Sequence, residues 1–330
     1  MRGRRGSLVS VLEQAYRVER SEREWLEELV RSVRPLLEDG LGIAAYTYDA
    51  SERPLAVREV LLDCPLDAQG LSTLLAQSNE SYVEGAWLSK SVATASETPG
   101  YTHHPGVREV FHPIGIRDVL VVNALDVSGI GCLLGAPLPR ETRVEPRERE
   151  RLDRVTAHLR AALRLRVRLG HSHEPTESAR SGRVEAVFDR EGRVAHLERD
   201  AEAAREDLRE AVRGVERARG KLRHRPDQAM ASWSTLVRAR WSIVDDFERG
   251  GERYVVARAN ATEAKGPLTL TERERQIVSL LAMGHTSKVI AYELGLSDAT
   301  VRVLVARAQR RLGATGRRDL VAKFRALSDG

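Results

Sequence analysis

The C-terminal 63 residues, from Leu268 to the end, limit what this chain can fold into more than any other part of it. Three short amphipathic runs follow one another there, and Gly295 separates the second run from the third. Thr271 and Glu274 have the spacing of a capping box, in which a hydroxyl and a carboxylate satisfy N–H groups at a helix start. Because glycine tolerates a positive φ, Gly295 allows a sharp reversal of the chain. The segment therefore predicts three closely spaced helices with a tight turn before the third.

The third of these predicted helices has two different faces. Its apolar residues repeat at three- and four-residue steps and predict a face buried in a core; they are Val301, Leu304, Val305, Ala308 and Leu312. The opposite face carries Arg302, Val303, Ala306, Arg307 and Arg310. The small Ala291 lets two helices cross closely, and the β-branched Val301 fills the crossing. These features in this order favour a helix-turn-helix over an ordinary helical bundle with a solvated basic face.

The positive charge of the chain is concentrated in the same segment. Residues 265–330 hold 12 Lys and Arg against 6 Asp and Glu, a net charge of +6, whereas residues 1–264 have a net charge of −1. A basic surface of this kind binds a phosphate backbone by releasing its counterions. RNA or a membrane would also suit a basic surface, but neither explains the turn geometry.

The segment resembles the LuxR-type, also called NarL/FixJ-type, helix-turn-helix domain. The resemblance rests on LT-x-x-E at 270–274, the run GHTSKVIAYELGLS at 284–297, TVR at 300–302 and RRLG at 310–313. In that family the third helix enters the major groove of DNA, and a fourth helix, here 319–327, supports dimer formation. Leu304 stands where many members have His, and Ala306 stands where some have a base-reading Lys. The base preference therefore stays open.

The resemblance implies which residues contact double-stranded DNA. Arg302 and Val303 are expected at base edges, because Arg suits the O6 and N7 atoms of guanine and Val suits a thymine methyl. Ala306, one turn after Arg302 on the same face, is also expected to contact the DNA. Residues at helix starts or beside the reading face are expected near phosphates; they are Lys288, Ser297, Thr300, Arg307 and Arg310. The full chain is expected to be a stable homodimer, and the partner surface within this domain is expected to be small and to lie around Leu320, Val321 and Phe324. RNA polymerase is a further expected partner.

Residues 1–170 have the element order helix, hairpin, helices, hairpin, helix. The first helical spacing spans 8–38, and a long Arg/Glu-rich helix is predicted at 145–169. Strand-like runs predict two hairpins, 41–50 with 55–63 and 116–126 with 129–139. The segments 67–79 and 81–94 are expected to be helical or irregular. This order resembles an α+β GAF domain, which implies a sensory or dimerisation role.

A second α+β unit is predicted at residues 183–260, between polar linkers at 171–182 and 261–267. Its predicted elements are a hairpin at 184–198, charged helices at 199–223 and 226–238, and a hairpin at 241–259 turned at 250–251. Two hairpins flanking helices resemble a PAS-like fold, although only four strands are visible where that fold usually has five. The chain is thus expected to be multidomain, with an all-α helix-turn-helix domain at 268–330.

One helix of the second unit has an apolar seam with heptad-like steps. The seam consists of Ala201, Ala204, Leu208, Ala211, Val215, Ala218 and Leu222. It fits either a short dimerising coiled coil or an amphipathic helix that lies on its own sheet. The second interpretation is favoured, because the seam is rich in alanine and covers only about three heptads.

Aromatic residues are concentrated in the first unit, in a chain that is only 5% aromatic. They are Tyr46, Tyr48, Tyr82, Trp87, Tyr101 and Phe111. The resemblance to GAF domains implies a small-molecule ligand between sheet and helices. Plain core packing accounts for the same residues equally well, so both interpretations stay open.

No catalytic constellation is recognisable, and the chain is expected not to be an enzyme. P-loop, G-x-S-x-G and H-E-x-x-H motifs do not occur, nor does the residue pattern of a phosphorylated receiver domain. Gly129, Gly131 and Gly135 have the wrong spacing for a dinucleotide loop and lie in an apolar strand. No cofactor is therefore expected.

A metal site and a disulfide scaffold are not expected either. His103, His104 and His112 lie close in sequence, but adjacent histidines diverge and a fourth ligand is not evident. Cys64 and Cys132 stand in apolar contexts and are interpreted as small core residues.

The chain is expected to be cytoplasmic, because it has no apolar run near the ~20 residues that span a bilayer and no recognisable signal peptide. The sequence thus predicts a DNA-binding transcription regulator in which sensory or dimerising units precede the helix-turn-helix. One alternative keeps the DNA-binding domain but makes the front region a ligand-free platform for protein interaction. An enzyme with an accessory DNA-binding domain is a third hypothesis.

Overall fold

The computed structural model describes residues 7–51, 55–83, 85–86, 90–170, 186–238, 241–244, 248–249, 252–260, 266–267 and 269–328. Trp87, the linker 171–182, the turn 250–251 and most of the linker 261–267 lie outside these described residues.

The first unit is an antiparallel sheet with helices on both faces. Its helices are α1 (Leu8–Ala15), α2 (Glu22–Leu37), α3 (Ala68–Ala76), α4 (Glu80–Val83) and α5 (Pro146–Gly170). Its strands are β1 (Ile43–Asp49), β2 (Ala56–Asp63), β3 (Val92–Thr94), β4 (Asp118–Leu125) and β5 (Ile130–Leu138), in the spatial order β2-β1-β5-β4-β3. Both predicted hairpins are confirmed, whereas β3 lies in a segment predicted to be helical or irregular.

Alternate residues of this sheet enter two different cores, because successive side chains of a strand point to opposite faces. Ala45 of β1 and Leu134 of β5 pack with α1, α2 and α5. Tyr46 and Leu133 point the other way, into an apolar cluster beneath α3 and the irregular segment that follows it. The sheet thus separates a helix-covered core from a second core that contains most of the aromatic residues of the first unit.

The second unit is also an antiparallel sheet with helices. It contains β6 (Ala186–Asp189), β7 (Val194–Leu197), α6 (Arg199–Glu202), α7 (Arg205–Arg219), α8 (Pro226–Arg238), β8 (Trp241–Val244), β9 (Glu248–Arg249) and β10 (Glu252–Ala259). The strand order is β7-β6-β10-β8, and β9 pairs with β10 as a fifth, very short strand. Four strands were predicted, so β9 is the one that the sequence pattern does not reveal.

The heptad-like seam is buried inside the chain and does not present a coiled-coil surface. Leu208, Ala211, Val215 and Ala218 are enclosed in a core that also contains α8 residues. This core is continuous with that of the first unit, and Tyr16 stacks on Trp233 of α8 at 5.8 Å between ring centroids. The seam therefore lies in one core with α8 and with residues of β6, β8 and β10, as the favoured interpretation of a helix on its own sheet requires.

The C-terminal unit consists of four helices: α9 (Glu272–Ala282), α10 (Ser287–Leu294), α11 (Asp298–Leu312) and α12 (Arg317–Ser328). The predicted capping box is present, since Thr271 accepts from the Glu274 amide while the Glu274 carboxylate accepts from the Thr271 amide. These helices enclose a separate small apolar core. No helix in the described part of the chain is long and apolar enough to cross a membrane.

One prediction about α12 is wrong. Leu320 and Phe324, expected on a dimer surface, are buried in the core of their own unit, and Val321 is half-buried. The reason is that α12 packs back on α9 and α11, so its apolar i, i+4 pair closes this small core. Among the described residues of α12, the large apolar residue that is exposed is Leu327, with 55% of its surface accessible.

Candidate nucleic-acid interface

The turn between α10 and α11 has the geometry that the sequence predicts. Gly295 ends α10 in the left-handed region at φ 64°, a conformation that costs glycine little. Ser297 then begins α11, and its hydroxyl accepts from the Thr300 amide at 3.0 Å. Ala291 and Val301 are buried where the two helices cross. These contacts fix the direction in which α11 leaves the turn.

All eight residues predicted to contact DNA are exposed on α11 or near the helix starts beside it. They are Lys288, Ser297, Thr300, Arg302, Val303, Ala306, Arg307 and Arg310. Val303 stands out, because 51% of its surface is accessible, and among the described residues only Leu327 is another large hydrophobic residue so exposed. An apolar side chain flanked by arginines on an exposed helix suits the floor of a major groove, where thymine methyls and guanine acceptors lie together.

The Arg302 guanidinium forms an ion pair with Asp298, one helical turn earlier. The pair is exposed, with 73% of the Arg302 side chain accessible, so it contributes little to stability. Its effect is to hold the guanidinium along the first turn of α11 instead of leaving it to rotate freely. Because an exposed pair is weak, the Arg302 guanidinium can leave Asp298 for another acceptor at little cost in free energy.

Other basic residues of this unit have structural roles. Arg311 donates to the Thr269 carbonyl at 3.1 Å and pairs with the buried Glu274 carboxylate at 3.2 Å. Arg325 donates to the carbonyl of Ala282 at 2.8 Å, at the end of α9. These side chains tie helix ends together, so the net charge alone overstates how many cations face a ligand.

The face of α10 turned away from α11 docks on the N-terminal units. Glu293 accepts from Arg160 of α5 at 2.7 Å, and both side chains are buried. The Tyr292 hydroxyl lies 2.9 Å from Nε2 of His158, also on α5. These contacts do not follow from the sequence pattern. A glutamate placed between the buried Ala291 and Leu294 positions was the available signal, but it is equally typical of an exposed helix edge.

A second guanidinium extends this junction towards the first sheet. Arg164 donates to Asp126, in the turn between β4 and β5, at 2.6 Å, and it lies 3.7 Å from Glu293. Burial acts to lower the pKa of Arg164, but the Asp126 and Glu293 carboxylates outweigh it and raise that pKa. Two cations and two anions are thus enclosed together, and α5 links the sheet to α10.

A cavity of about 80 Å³ lies beneath the second face of the first sheet. Its lining is mainly apolar, and the predicted aromatic residues Tyr46, Tyr82 and Phe111 contribute to it. Tyr48 and Tyr101 belong to the surrounding apolar cluster instead. Lys90 reaches the rim, where its ammonium donates to the Glu97 carbonyl at 3.1 Å. The arrangement can enclose a small apolar group.

The remaining candidate residues have packing roles. A Cβ at Gly131 would lie 2.2 Å from the Tyr48 ring, so this glycine makes room for an aromatic side chain in the strand. His104 is buried against Tyr82 at 4.1 Å between ring centroids, whereas His103 is exposed. No group of His, Cys, Asp or Glu among the described residues is placed to hold a metal ion.

Both cysteines are free thiols. Cys132 is buried on β5, and burial raises the pKa of its thiol to about 12. Cys64 is half-buried, and burial raises the pKa of that thiol as well. Neither is an activated thiolate, in keeping with the interpretation of both as small core residues.

Comparison with known proteins identifies the C-terminal unit. Residues 268–324 match the family described as bacterial regulatory proteins, luxR family. A 55-residue stretch is 42% identical to the spore germination protein GerE of Bacillus subtilis (strain 168), covering 17% of this chain and 74% of that protein. The chain belongs to the luxR family of bacterial regulatory proteins. The exposed α11 is therefore the third helix of a luxR-family DNA-binding helix-turn-helix.

Two further comparisons extend over different lengths. A 65-residue stretch is 40% identical to the transcriptional regulatory protein FixJ of Rhizobium meliloti (strain 1021), covering 18% of this chain and 32% of that relative. The chain thus matches about a third of the length of FixJ. The solved structure of SdiA in complex with octanoyl-rac-glycerol aligns over 94% of this chain and 90% of SdiA, at 10% identity and a TM-score of 0.25. At that TM-score the likeness supports no conclusion about fold or ligand.

Proposed function

We propose that this protein is a sequence-specific transcription regulator that reads double-stranded DNA with α11, as a homodimer, under the control of its N-terminal units. The observation that carries the proposal is the exposed face of α11, where arginines flank an accessible valine on a luxR-family helix. A two-fold dimer would read two inverted half-sites about 10 bp apart. Such a regulator would act by binding rather than catalysis, in the cytoplasm, and would contact RNA polymerase.

Arg302→Ala is expected to weaken specific binding by about 1–3 kcal/mol and to relax the preference at one base position. The reason is that a guanidinium at a base edge discriminates guanine from the other bases. Competition titrations with operators substituted at each position measure the effect. Arg318→Ala, an exposed arginine on α12, is the matched control. Equal affinity and unchanged preference in Arg302→Ala would show that the assigned register is wrong.

Arg310→Gln is expected to weaken specific and random DNA about equally and to reduce the slope of log affinity against log salt by about one. This residue lies near the end of α11, beyond the base-reading positions, so its predicted contact is a phosphate. Affinities measured on both kinds of DNA over a series of salt concentrations give the slope. A changed base preference with an unchanged slope would contradict the assignment.

The proposed control by the N-terminal units rests on the docking of α10. Glu293 and Tyr292 attach the helix-turn-helix to α5, and α5 packs against the sheet that lines one side of the cavity. A change in the sheet could therefore reach the DNA-binding unit through a single helix. The eight predicted DNA contacts are accessible while α10 is docked, which favours control by positioning over control by masking.

A small, mainly apolar molecule is the proposed signal, because the cavity beneath the sheet has an apolar lining with Lys90 at its rim. At about 80 Å³ it is smaller than the ~150 Å³ cavity that holds benzene in an engineered protein, so a short chain or a small ring is the expected size. Native mass spectrometry of the purified protein tests this proposal. A chain without bound mass that also shows no thermal shift with small apolar compounds would favour the ligand-free platform.

A further inference from the structure

Two histidines are buried at the junction between the luxR-family unit and the rest of the chain. His158 lies on α5, and His285 lies in the turn before α10. Each makes a hydrogen bond across the junction, His158 to Tyr292 at 2.9 Å and His285 to Ser91 at 2.8 Å. Undocking of the C-terminal unit would break both bonds and admit water to both rings.

The hydrogen bonds around His158 require a neutral imidazole. The Tyr292 hydroxyl donates to the Met230 carbonyl at 3.3 Å, so it accepts from Nε2–H of His158. Nδ1 is then the acceptor for the Tyr16 hydroxyl at 3.1 Å. This tautomer is assigned from the hydrogen bonds, and it uses both ring nitrogens. A second proton would remove the acceptor that Tyr16 uses.

The surroundings of His285 also exclude a charged ring. Its Nε2 atom is buried and has no hydrogen-bond partner among the residues that the structure describes. The Ser91 hydroxyl that contacts Nδ1 lies 3.5 Å from a guanidinium nitrogen of Arg160, and Arg317 donates to the His285 carbonyl. A protonated His285 would therefore add a positive charge between two arginines. The buried Glu293 carboxylate of α10 is already engaged by Arg160.

The sign of the pH effect follows from these environments. Burial, with a smaller effect of Arg160, lowers the pKa of His158 to about 3. Burial, then Arg160 and Arg317, lowers the pKa of His285 well below its usual 6.5. A histidine whose pKa is lower in the docked than in the undocked state stabilises docking above pH 6.5. This stabilisation of the docked state is lost as the pH falls below 6.5, because the undocked state then binds the proton more tightly.

We propose that this junction is an acid-sensitive latch, which holds the helix-turn-helix docked while His158 and His285 are neutral and releases it when both rings take up a proton. When the pH falls from 7.5 to 5.5, protonation of each imidazole in the undocked state lowers the ratio of docked to undocked chains about tenfold. The two rings together shift it about 100-fold. The proposal concerns docking alone, so its test is independent of DNA binding.

Other titratable groups face the same helix. The hydroxyls of Tyr16 and Tyr292 are both hydrogen-bonded to His158. The Tyr16 hydroxyl does not titrate in this range, because burial raises its pKa above the usual value near 10. Burial raises the pKa of Asp153 on α5 to about 6. Protonation of this half-buried carboxyl removes the cost of a poorly hydrated charge in the folded chain, so it acts in the opposite direction. Asp153→Asn removes this contribution, so the 100-fold shift and the histidine variants are measured in an Asp153→Asn background.

The experiment follows the full chain from pH 7.5 to 5.0 by small-angle X-ray scattering, with NMR titration of the histidine rings. We expect the radius of gyration to rise over the same pH range in which both buried rings become protonated. The double variant His158→Gln/His285→Asn, which keeps hydrogen-bonding groups that cannot be protonated in this range, should lose the pH dependence. His285→Asn alone should reduce the 100-fold shift to about tenfold. This single variant provides the test if the double variant does not fold.

Two further variants separate the effect of the buried histidines from a general weakening of the junction. Glu293→Gln weakens the same junction without adding a histidine, so it should move the opening to higher pH, whereas the exposed His224→Gln should behave as the wild type. Three results would overturn the latch. One is a buried ring that titrates near pH 6.5 in a chain that stays compact. Another is histidine variants, double or single, that open with the wild-type pH dependence. The third is a chain that stays compact to pH 5.0 in the wild type and in Glu293→Gln alike.

Discussion

Arg160→Ala is expected to lower the free energy of unfolding by about 3 kcal/mol, at the lower end of the range for breaking one half of a buried ion pair. The substitution leaves the Glu293 carboxylate buried without its main partner, since Arg160 donates to it from two nitrogens. Arg164, at 3.7 Å, compensates only in part because it is already bonded to Asp126. Urea unfolding followed by tryptophan fluorescence measures the loss.

Two control variants test whether the loss of stability comes from the buried ion pair. Arg205→Ala removes an exposed partner of Glu202 at 3.4 Å and should change stability by less than about 0.5 kcal/mol. The double variant Arg160→Met/Glu293→Leu replaces the buried pair by apolar side chains and should recover most of the loss. A normal unfolding midpoint for Arg160→Ala would mean that the helix-turn-helix does not dock on α5 in solution.

Phe324→Ala is expected to destabilise the C-terminal unit by about 3–5 kcal/mol, the usual cost of removing a large aromatic side chain from a core. Phe324 is buried against the other helices of a small unit that has few residues to compensate. Loss of the α12 and α9 signals in hydrogen exchange, together with loss of DNA binding, measures the effect.

Leu327→Ala on the same helix provides the matched control. Leu327 is exposed, so its truncation should leave stability within about 0.5 kcal/mol of the wild type. If Phe324→Ala instead kept its stability and changed only the oligomeric state, the original prediction of a dimer surface at Phe324 would be restored.

The helix-turn-helix could be predicted closely because local rules determine it. The Thr271 capping box, the Gly295 turn and the Ser297 cap each depend on residues a few positions apart. The two main hairpins of the first unit were predictable for the same reason. The edge strand β3 was not, because three residues are too few to establish an alternating pattern.

The errors concern contacts between distant segments. The spacing of Leu320 and Phe324 predicts an apolar face on α12 but does not say whether that face meets the chain's own core or a second copy. Glu293 and Arg160 are 133 residues apart, and each looks like an ordinary polar position of an amphipathic helix. Their pairing follows only from how α5 and α10 are placed by the surrounding fold. The sensory role, the dimer and the GAF-like and PAS-like assignments stay predictions.

Selection of bound DNA from a random library by the full-length protein, followed by sequencing, tests whether the protein reads a specific DNA sequence as a two-fold dimer. We expect an enriched sequence with two inverted half-sites about 10 bp apart, and loss of preference at one position of each half-site in Arg302→Ala. Enrichment of no sequence above background, with the C-terminal unit shown to be folded in the same sample, would contradict this expectation.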